Sequence, residues 1–340
     1  MKKDFLSDKI FEYIRLNWSV PYTKIKENFI EFNETTIVRN LNKLIKNWKI
    51  TKIKEGKNSN YQIWWADFIL EYLKKDFFER PLKKYDFDFL ENYIPNATSF
   101  LWERYLKIKD KYEKLSLLST YDYKTNIRWI ENLLIDLSFS SSKLEGNTYN
   151  YLDTEILIKY NTEADWKTKF ESQMILNHKN AIKYIIDNRN DILYTKQEFC
   201  NIHKILAQWL LIEDYLWTIR SSEVKIWWST YVPLDNKFQL EEQFSMFLDK
   251  LSKIKNPFEQ SLFILVFIPY FQLFMDLNKR VSRISSNIPL IKNWLPPFSF
   301  LQIKDRDYIN AILAIYELND VSLMADIFVE NYLQNMWRYI

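Results

Sequence analysis

Apolar positions near the start of the chain first follow a helical period and then alternate. Phe5, Leu6, Ile10, Phe11 and Ile14 share one helical face. The run Asn17-Trp18-Ser19-Val20-Pro21 breaks that pattern, Tyr22 to Phe29 reads as a short second helix, and Asn33 caps a third. On the third helix Ile37, Val38, Leu41, Leu44 and Ile45 form the expected buried stripe, with Thr35, Thr36, Arg39, Asn40, Lys43 and Lys46 opposite. Lys49 to Ile53 then reads as a strand, Lys54 to Asn60 as a turn and Tyr61 to Trp64 as a return strand. Trp65 to about Tyr121 is helical and aromatic, with stops at Pro81 and at Pro95-Asn96-Ala97-Thr98. Further on, Leu262 to Phe271 is an apolar helix, Val281 to Leu290 has helical spacing, and Asp276 to Lys279 is the turn between them.

These patterns divide the 340 residues into a first unit at 1–65, a helical connecting region at 66–120 and a larger unit at 121–340. Three helices followed by a hairpin are the order of a winged helix-turn-helix, whose third helix enters the major groove of DNA. Charge sharpens that reading. Residues 1–60 carry thirteen Lys and Arg against seven Asp and Glu, about +6, while the whole chain has a formal charge of only +3. Arg39, Asn40 and Lys43 would face bases, and Lys46, Lys54 and Lys57 would meet phosphates. The alternative is a docking or dimerisation module whose lysines are a solvated face; a homodimer is one expected form.

Composition changes the picture in one respect. The chain has only two glycines, Gly56 and Gly146, where average usage gives roughly twenty or more. Barrels and sandwiches with many tight turns are therefore excluded, and a mainly α fold is expected, with Asn capping helices and filling left-handed positions. At 47% hydrophobic and 27% charged residues the chain is an ordinary globular one, and 17% aromatics imply cores built from Phe, Tyr and Trp. Cys200 is the only cysteine and reads as a buried thiol. His178 and His203 have no partner at ligand spacing, so zinc is not expected. The opening Met1-Lys2-Lys3-Asp4 leads into no apolar leader, and the run Leu262 to Phe271 is far short of a membrane span and contains Pro269. No membrane partner and a cytoplasmic location are expected.

The stretch Gln272-Leu273-Phe274-Met275-Asp276-Leu277-Asn278-Lys279-Arg280-Val281-Ser282-Arg283 resembles the Fic motif, His-x-Phe-x-(Asp/Glu)-x-Asn-(Gly/Lys)-Arg-x-x-Arg, at every fixed position but the first. Ser141-Ser142-Lys143-Leu144-Glu145-Gly146 resembles the family's inhibitory motif, (Ser/Thr)-x-x-x-Glu-(Gly/Asn), placed N-terminal to it as in class II members. Glu171 to His178, Ile219-Arg220, Val224 to Pro233, Asn256 to Gln260 and Ile315 to Asn319 are similar to further family segments. The resemblance runs from about Tyr85 to the C-terminus and implies a helical Fic-type domain with a small β-hairpin flap.

Physical chemistry supports a polyphosphate site there. Amides at a helix start form an anion hole, and Lys279, Arg280 and Arg283 concentrate positive charge. By resemblance Asp276 would hold Mg²⁺, Asn278 and Arg280 would contact phosphate oxygens of ATP, and Arg283 would meet the terminal phosphate. Glu145, with Ser141 in the same motif, would pair with Arg283 and block that position. Ile226, Ser229 and Tyr231 would lie on the flap and align a target protein by strand addition.

Gln272 stands where the family has its catalytic His. An amide cannot take a proton from a target hydroxyl, and loss of general-base catalysis lowers transfer about 10²–10⁴-fold. Three readings follow: a protein adenylyltransferase that is slow or uses an already ionised acceptor, a catalytically dead nucleotide sensor that regulates transcription through the winged helix, and a scaffold without ligand.

Overall fold

A computed structural model describes residues 5–17, 19–46, 50–55, 58–63, 65–101, 107–111, 128–216 and 218–339. The chain is mainly helical and divides into two compact units, Met1–Glu79 and Arg80–Ile340. No helix among the described residues is long and apolar enough to cross a membrane.

In the first unit the helices are α1 (Phe5–Asn17), α2 (Tyr22–Asn28) and α3 (Glu34–Lys46), followed by the hairpin strands β2 (Ile50–Glu55) and β3 (Asn58–Ile63). The break after α1 is itself a short strand, β1 (Ser19–Pro21), which pairs antiparallel with β3 to give the sheet order β1-β3-β2. A further helix, α4 (Trp65–Leu73), follows the hairpin. Ile10, Ile14, Ile25, Leu41, Leu44, Ile50 and Tyr61 form one apolar core, with Phe68 packed on it. Two expectations for α3 are corrected. Asn40 is only 7% exposed: it accepts a 2.6 Å hydrogen bond from Ser7 Oγ and donates to Thr36 O at 2.8 Å. It stands three residues after Ile37 and four before Leu44, on the buried face. Val38, assigned to that stripe, is instead exposed. Arg39, Lys43 and Lys46 are exposed, and Asn42 joins them; Lys57 lies outside the described residues.

In the second unit the long helices are α6 (Arg128–Lys143), α7 (Tyr151–Tyr160), α8 (Lys169–Asp187), α9 (Lys196–Ala207), α10 (Lys237–Lys253) and α11 (Pro257–Phe271), preceded by the short α5 (Phe87–Glu91). They continue with α12 (Asn278–Ser285), α13 (Ile288–Lys292), α14 (Asp305–Leu318) and α15 (Ser322–Asn335). Nearly every residue of α11 is buried, as expected for a helix that is apolar all round. Phe263, Phe267 and Phe271 line up along it against Phe247, with Phe247 and Phe263 stacked at 5.1 Å. The single acid near its start, Glu259, is satisfied by Tyr93 Oη, Ser99 Oγ and the amides of Phe100 and Leu101. Asparagine caps α7, α10 and α11 at their starts, and Asn161 and Asn319 end α7 and α14 in the left-handed region. Cys200 is buried and unpaired.

The predicted flap hairpin is also corrected. Only Tyr231–Val232 (β5) is extended strand, and it pairs in parallel with Lys83–Lys84 (β4). The anchor is a buried ion pair, Arg80 Nη1 to Glu317 Oε1 at 2.8 Å, onto which Ser229 Oγ and the Thr230 amide also converge. Removing one member of a buried pair leaves the other charge unpaired, which costs about 3–5 kcal/mol. Glu317→Ala is therefore expected to lower the unfolding free energy of the second unit by about 3–5 kcal/mol in urea titrations, and a loss under 1 kcal/mol would be inconsistent with this anchor.

Candidate functional site

The loop 272–277 joins α11 to α12 and is built almost wholly from its own polar groups. Pro269 in the last turn of α11 cannot continue the helix's donor ladder, and Gln272 ends the helix in the left-handed region at φ 50°. The Gln272 side chain then turns inward. Its Nε2 donates to Pro269 O at 2.7 Å and to Tyr316 Oη at 2.9 Å, and its Oε1 accepts from Asn278 Nδ2 at 3.1 Å. Asn278 closes the loop from the other side: Oδ1 accepts from the Phe274 amide at 2.9 Å and Nδ2 donates to Phe274 O at 2.8 Å. The Asn278 side chain, for which a phosphate contact is expected, thus braces the loop here through both its amide groups.

Three further residues hold the loop in place. Phe274 is fully buried and stacks on His203 at 3.9 Å, and His203 Nε2 lies 3.3 Å from Asp276 O. Arg220, 2% exposed, donates from Nε to Gln272 O at 2.5 Å, and its own amide donates to Leu273 O at 2.9 Å. Leu277 occupies the N-cap of α12 at φ 69° and has no side-chain oxygen to cap the helix. The first amides of α12 therefore lack a side-chain cap, which favours negative charge there.

Arg280 and Arg283 lie on that helix and are both buried. Arg280 is 6% exposed, and its Nε and Nη1 have no hydrogen-bond partner. Asp276 Oδ2 stands 3.8 Å from its Nη2, while Asp276 Oδ1 accepts from the Leu277 amide and the carboxylate is otherwise largely in solvent. Burial lowers the proton affinity of Arg280, only partly offset by Glu145 and Asp276.

Arg283 has no exposed surface and is fully engaged. Its Nε donates to Ser141 Oγ at 2.9 Å, Nη1 to Tyr308 Oη at 3.1 Å, and Nη2 to Ser141 O at 3.1 Å and Glu145 Oε1 at 2.7 Å. Lys279 Nζ lies 3.7 Å from Glu145 Oε2. Burial raises the affinity of the Glu145 carboxyl for its proton, but Arg283, Lys279 and Arg280 outweigh it and hold the group down to about 2. Glu145 reaches Arg283 because α6 stops there. Gly146 is left-handed at φ 85°, with Gly146 N bonded to Lys143 O at 2.9 Å and Asn147 N to Ser142 O at 3.1 Å. Those two bonds define a Schellman end.

Behind the ion pair stands His178. Its Nδ1 is 2.7 Å from Met174 O, which can only accept, so Nδ1 carries the proton. Nε2 then accepts from Ser141 Oγ at 2.9 Å, and that oxygen accepts in turn from Arg283. Burial and the charges of Arg280 and Arg283 hold the imidazole down to about 3, so it is neutral. Sequence reasoning had set both histidines aside for lack of a partner, and it missed Tyr308 as a ligand of Arg283. His178, Arg220 and Tyr316 lay within segments whose resemblance was noted, but no spacing marked their roles.

The site opens into a cleft of about 370 Å³. Glu145, Lys225, Asp276 and Lys279 are its charged rim, and Ile226, Met275 and Ile312 are among its apolar lining. Ile226 thus falls where a flap residue was expected. Ser229 and Tyr231 do not: Ser229 bonds Glu317, and Tyr231 is 2% exposed with its hydroxyl on Tyr270 O at 2.8 Å. Thr230 between them is buried as well, so 229–231 as a whole turns inward onto Glu317 and Tyr270.

The histidines set an acid limit. Burial first of all, then the nearby arginines, depress His178 from 6.5 to about 3, and burial depresses His203 from 6.5 to about 4. A group neutral in the fold and protonated when unfolded stabilises fully above its unfolded value and is lost as pH falls towards its folded value. The thermal midpoint is therefore expected to hold above pH about 6.5 and to fall from there towards about 3, the His203 contribution being lost by about 4. His178→Gln should flatten that slope; an unchanged slope would remove His178 from the account.

No family model matches the chain, and no curated protein matches it. Solved structures do. A Fic domain containing signalling protein from Bacteroides thetaiotaomicron aligns at a TM-score of 0.55 and 16% identity, over 68% of this chain and 96% of that one. Fic-1 from C. elegans aligns at 0.58 and 14% identity, over 69% and 71%. A Fic family protein from Desulfovibrio desulfuricans G20 aligns at 0.59 and 17% identity, over 72% and 76%. At such identities the likeness is one of architecture, and on that ground the chain has the fold of Fic-domain proteins.

Proposed function

We propose that this chain binds a nucleoside triphosphate with Mg²⁺ at the start of α12 and that Glu145 restrains the binding by occupying Arg283. One observation carries the reading: a helix start without a side-chain cap holds one buried arginine with two unpartnered nitrogens and a second whose ligand is a carboxylate. Both features suit phosphate oxygens. Asp276 offers one solvent-facing carboxylate at the rim, and Mg²⁺ takes one or two carboxylates together with substrate phosphates. When bound, the ion would neutralise charge on the phosphate oxygens. The apolar lining beside Ile226 and Ile312 gives the base a place outside the charged rim.

AMP transfer to a neutral hydroxyl is disfavoured by Gln272. Its amide donates to Pro269 and Tyr316 and accepts from Asn278, and it lacks the basicity to take a substrate proton. The acceptor that suits this site is one already ionised, a carboxylate or a phosphate on a target protein. Positioning and charge neutralisation supply most of such a transfer.

A second reading rests on a separate observation. The order of three helices and a hairpin in the first unit, with Arg39, Asn42, Lys43 and Lys46 exposed along α3, supports reading it as a winged helix with a basic face. Such a module would bind DNA, and the second unit would then act as a nucleotide sensor.

Glu145→Gly is expected to tighten Mg-ATP binding at least 10-fold by calorimetry, since an anionic competitor leaves Arg283. Arg280→Ala in that background should abolish the gain. Equal affinity in wild type and Glu145→Gly would rule out the restraint, and no binding by either would rule out the site. Labelled ATP then separates the two readings: label on a protein carboxylate or phosphate marks transfer, whereas binding without label marks sensing.

A further inference from the structure

The backbone carries an anomaly independent of the nucleotide reading. Trp166, Trp209, Trp228 and Trp294 have φ of 64°, 62°, 73° and 55°. Among the described residues the remaining tryptophans are Trp65, Trp129, Trp227 and Trp337, so half of them occupy the left-handed region. Only a few per cent of non-glycine residues do so, and bulky ones least.

Each of the four stands where turn geometry favours glycine. Trp294 ends α13 with Trp294 N bonded to Ile291 O at 3.2 Å and Leu295 N to Leu290 O at 2.9 Å. That is the pair of bonds that ends α6 at Gly146, one of the chain's two glycines. The other three are third residues of four-residue turns. Those turns are closed by Lys167 N to Ala164 O at 3.4 Å, Leu210 N to Ala207 O at 2.9 Å and Ser229 N to Ile226 O at 3.3 Å. In the second of these, Gln208 has φ −55° and ψ 125°, the geometry of a type II turn, whose third residue is typically glycine. The indoles add little to the core in return. Trp166, Trp209 and Trp228 are 102%, 79% and 79% exposed, and Trp294 rests on the Arg189 guanidinium at 4.5 Å. Thirteen tryptophans and two glycines invert ordinary usage in the same direction.

We propose that glycine is the native residue at positions 166, 209, 228 and 294, inserted at UGA codons that the source cell reads as glycine. UGA specifies tryptophan in one variant genetic code and glycine in another, so one decoding difference exchanges the two residues at every such codon at once. The exchange matters for the site. Trp227 and Trp228 line the cleft beside Gln272. With glycine at 228 an indole leaves the mouth, and the backbone between Val224 and Ser229 becomes reachable by a polypeptide or nucleotide.

Two measurements test this. Peptide mass mapping of the protein isolated from its own cells, together with the gene sequence, is expected to give glycine at all four positions and UGA at their codons. Tryptophan in those peptides, or UGG codons, would overturn the proposal. Independently, the chain carrying Trp166→Gly, Trp209→Gly, Trp228→Gly and Trp294→Gly together should melt about 5 °C or more above the chain with tryptophan, because four strained left-handed residues are relieved. An equal or lower midpoint would overturn the backbone argument.

Discussion

The Arg283 guanidinium, placed with no exposed surface at the centre of the second unit, governs the rest of the site. A buried cation is tolerated only where its donors are met and its charge is countered. Ser141 and Glu145 from the end of α6, and Tyr308 from α14, meet those demands. The end of α6 is consequently tied to α12, and the Schellman turn at Gly146 sets where Glu145 points. His178 extends the arrangement on α8, since its fixed tautomer orients the Ser141 hydroxyl that receives Arg283.

The loop before α12 shows a complementary economy. Gln272 and Asn278 bond each other and the loop backbone, while His203, Arg220 and Tyr316 brace it from three neighbouring segments. The side chains that could carry out proton transfer are thus committed to shape. What remains open is electrostatic: Arg280, Lys279, the amides of the helix start and the exposed Asp276. A loop held in this way has a fixed shape, and neither Gln272 nor Asn278 supplies a basic group to it.

Much of this was legible in the residues themselves. The resemblance of 272–283 to the Fic motif implied buried arginines at a helix start, and that of Ser141 to Gly146 implied a carboxylate against Arg283, where it lies. The scarcity of glycine foretold helices capped by asparagine, and Asn150, Asn236 and Asn256 do cap them. The errors share one cause. Asn40 was assigned to the polar face by residue type, although its register put it among Ile37, Leu41 and Leu44. Ser229 and Tyr231 were assigned to a flap by resemblance without regard to burial, although a buried Glu317 and the Tyr270 carbonyl draw them inward.

By itself, then, the sequence determined the periodic faces of the helices, the order of elements in the first unit and the set of charges gathered at 276–283, because these depend on neighbours within one turn or one motif. Only the tertiary structure decided that Gln272 and Asn278 brace a loop, that His178 is a link to Arg283 and that Arg280 lacks partners. Hydrogen bonds such as that from Arg283 to Ser141, 142 positions away, are set by how helices pack, and the period of a single helix does not encode them.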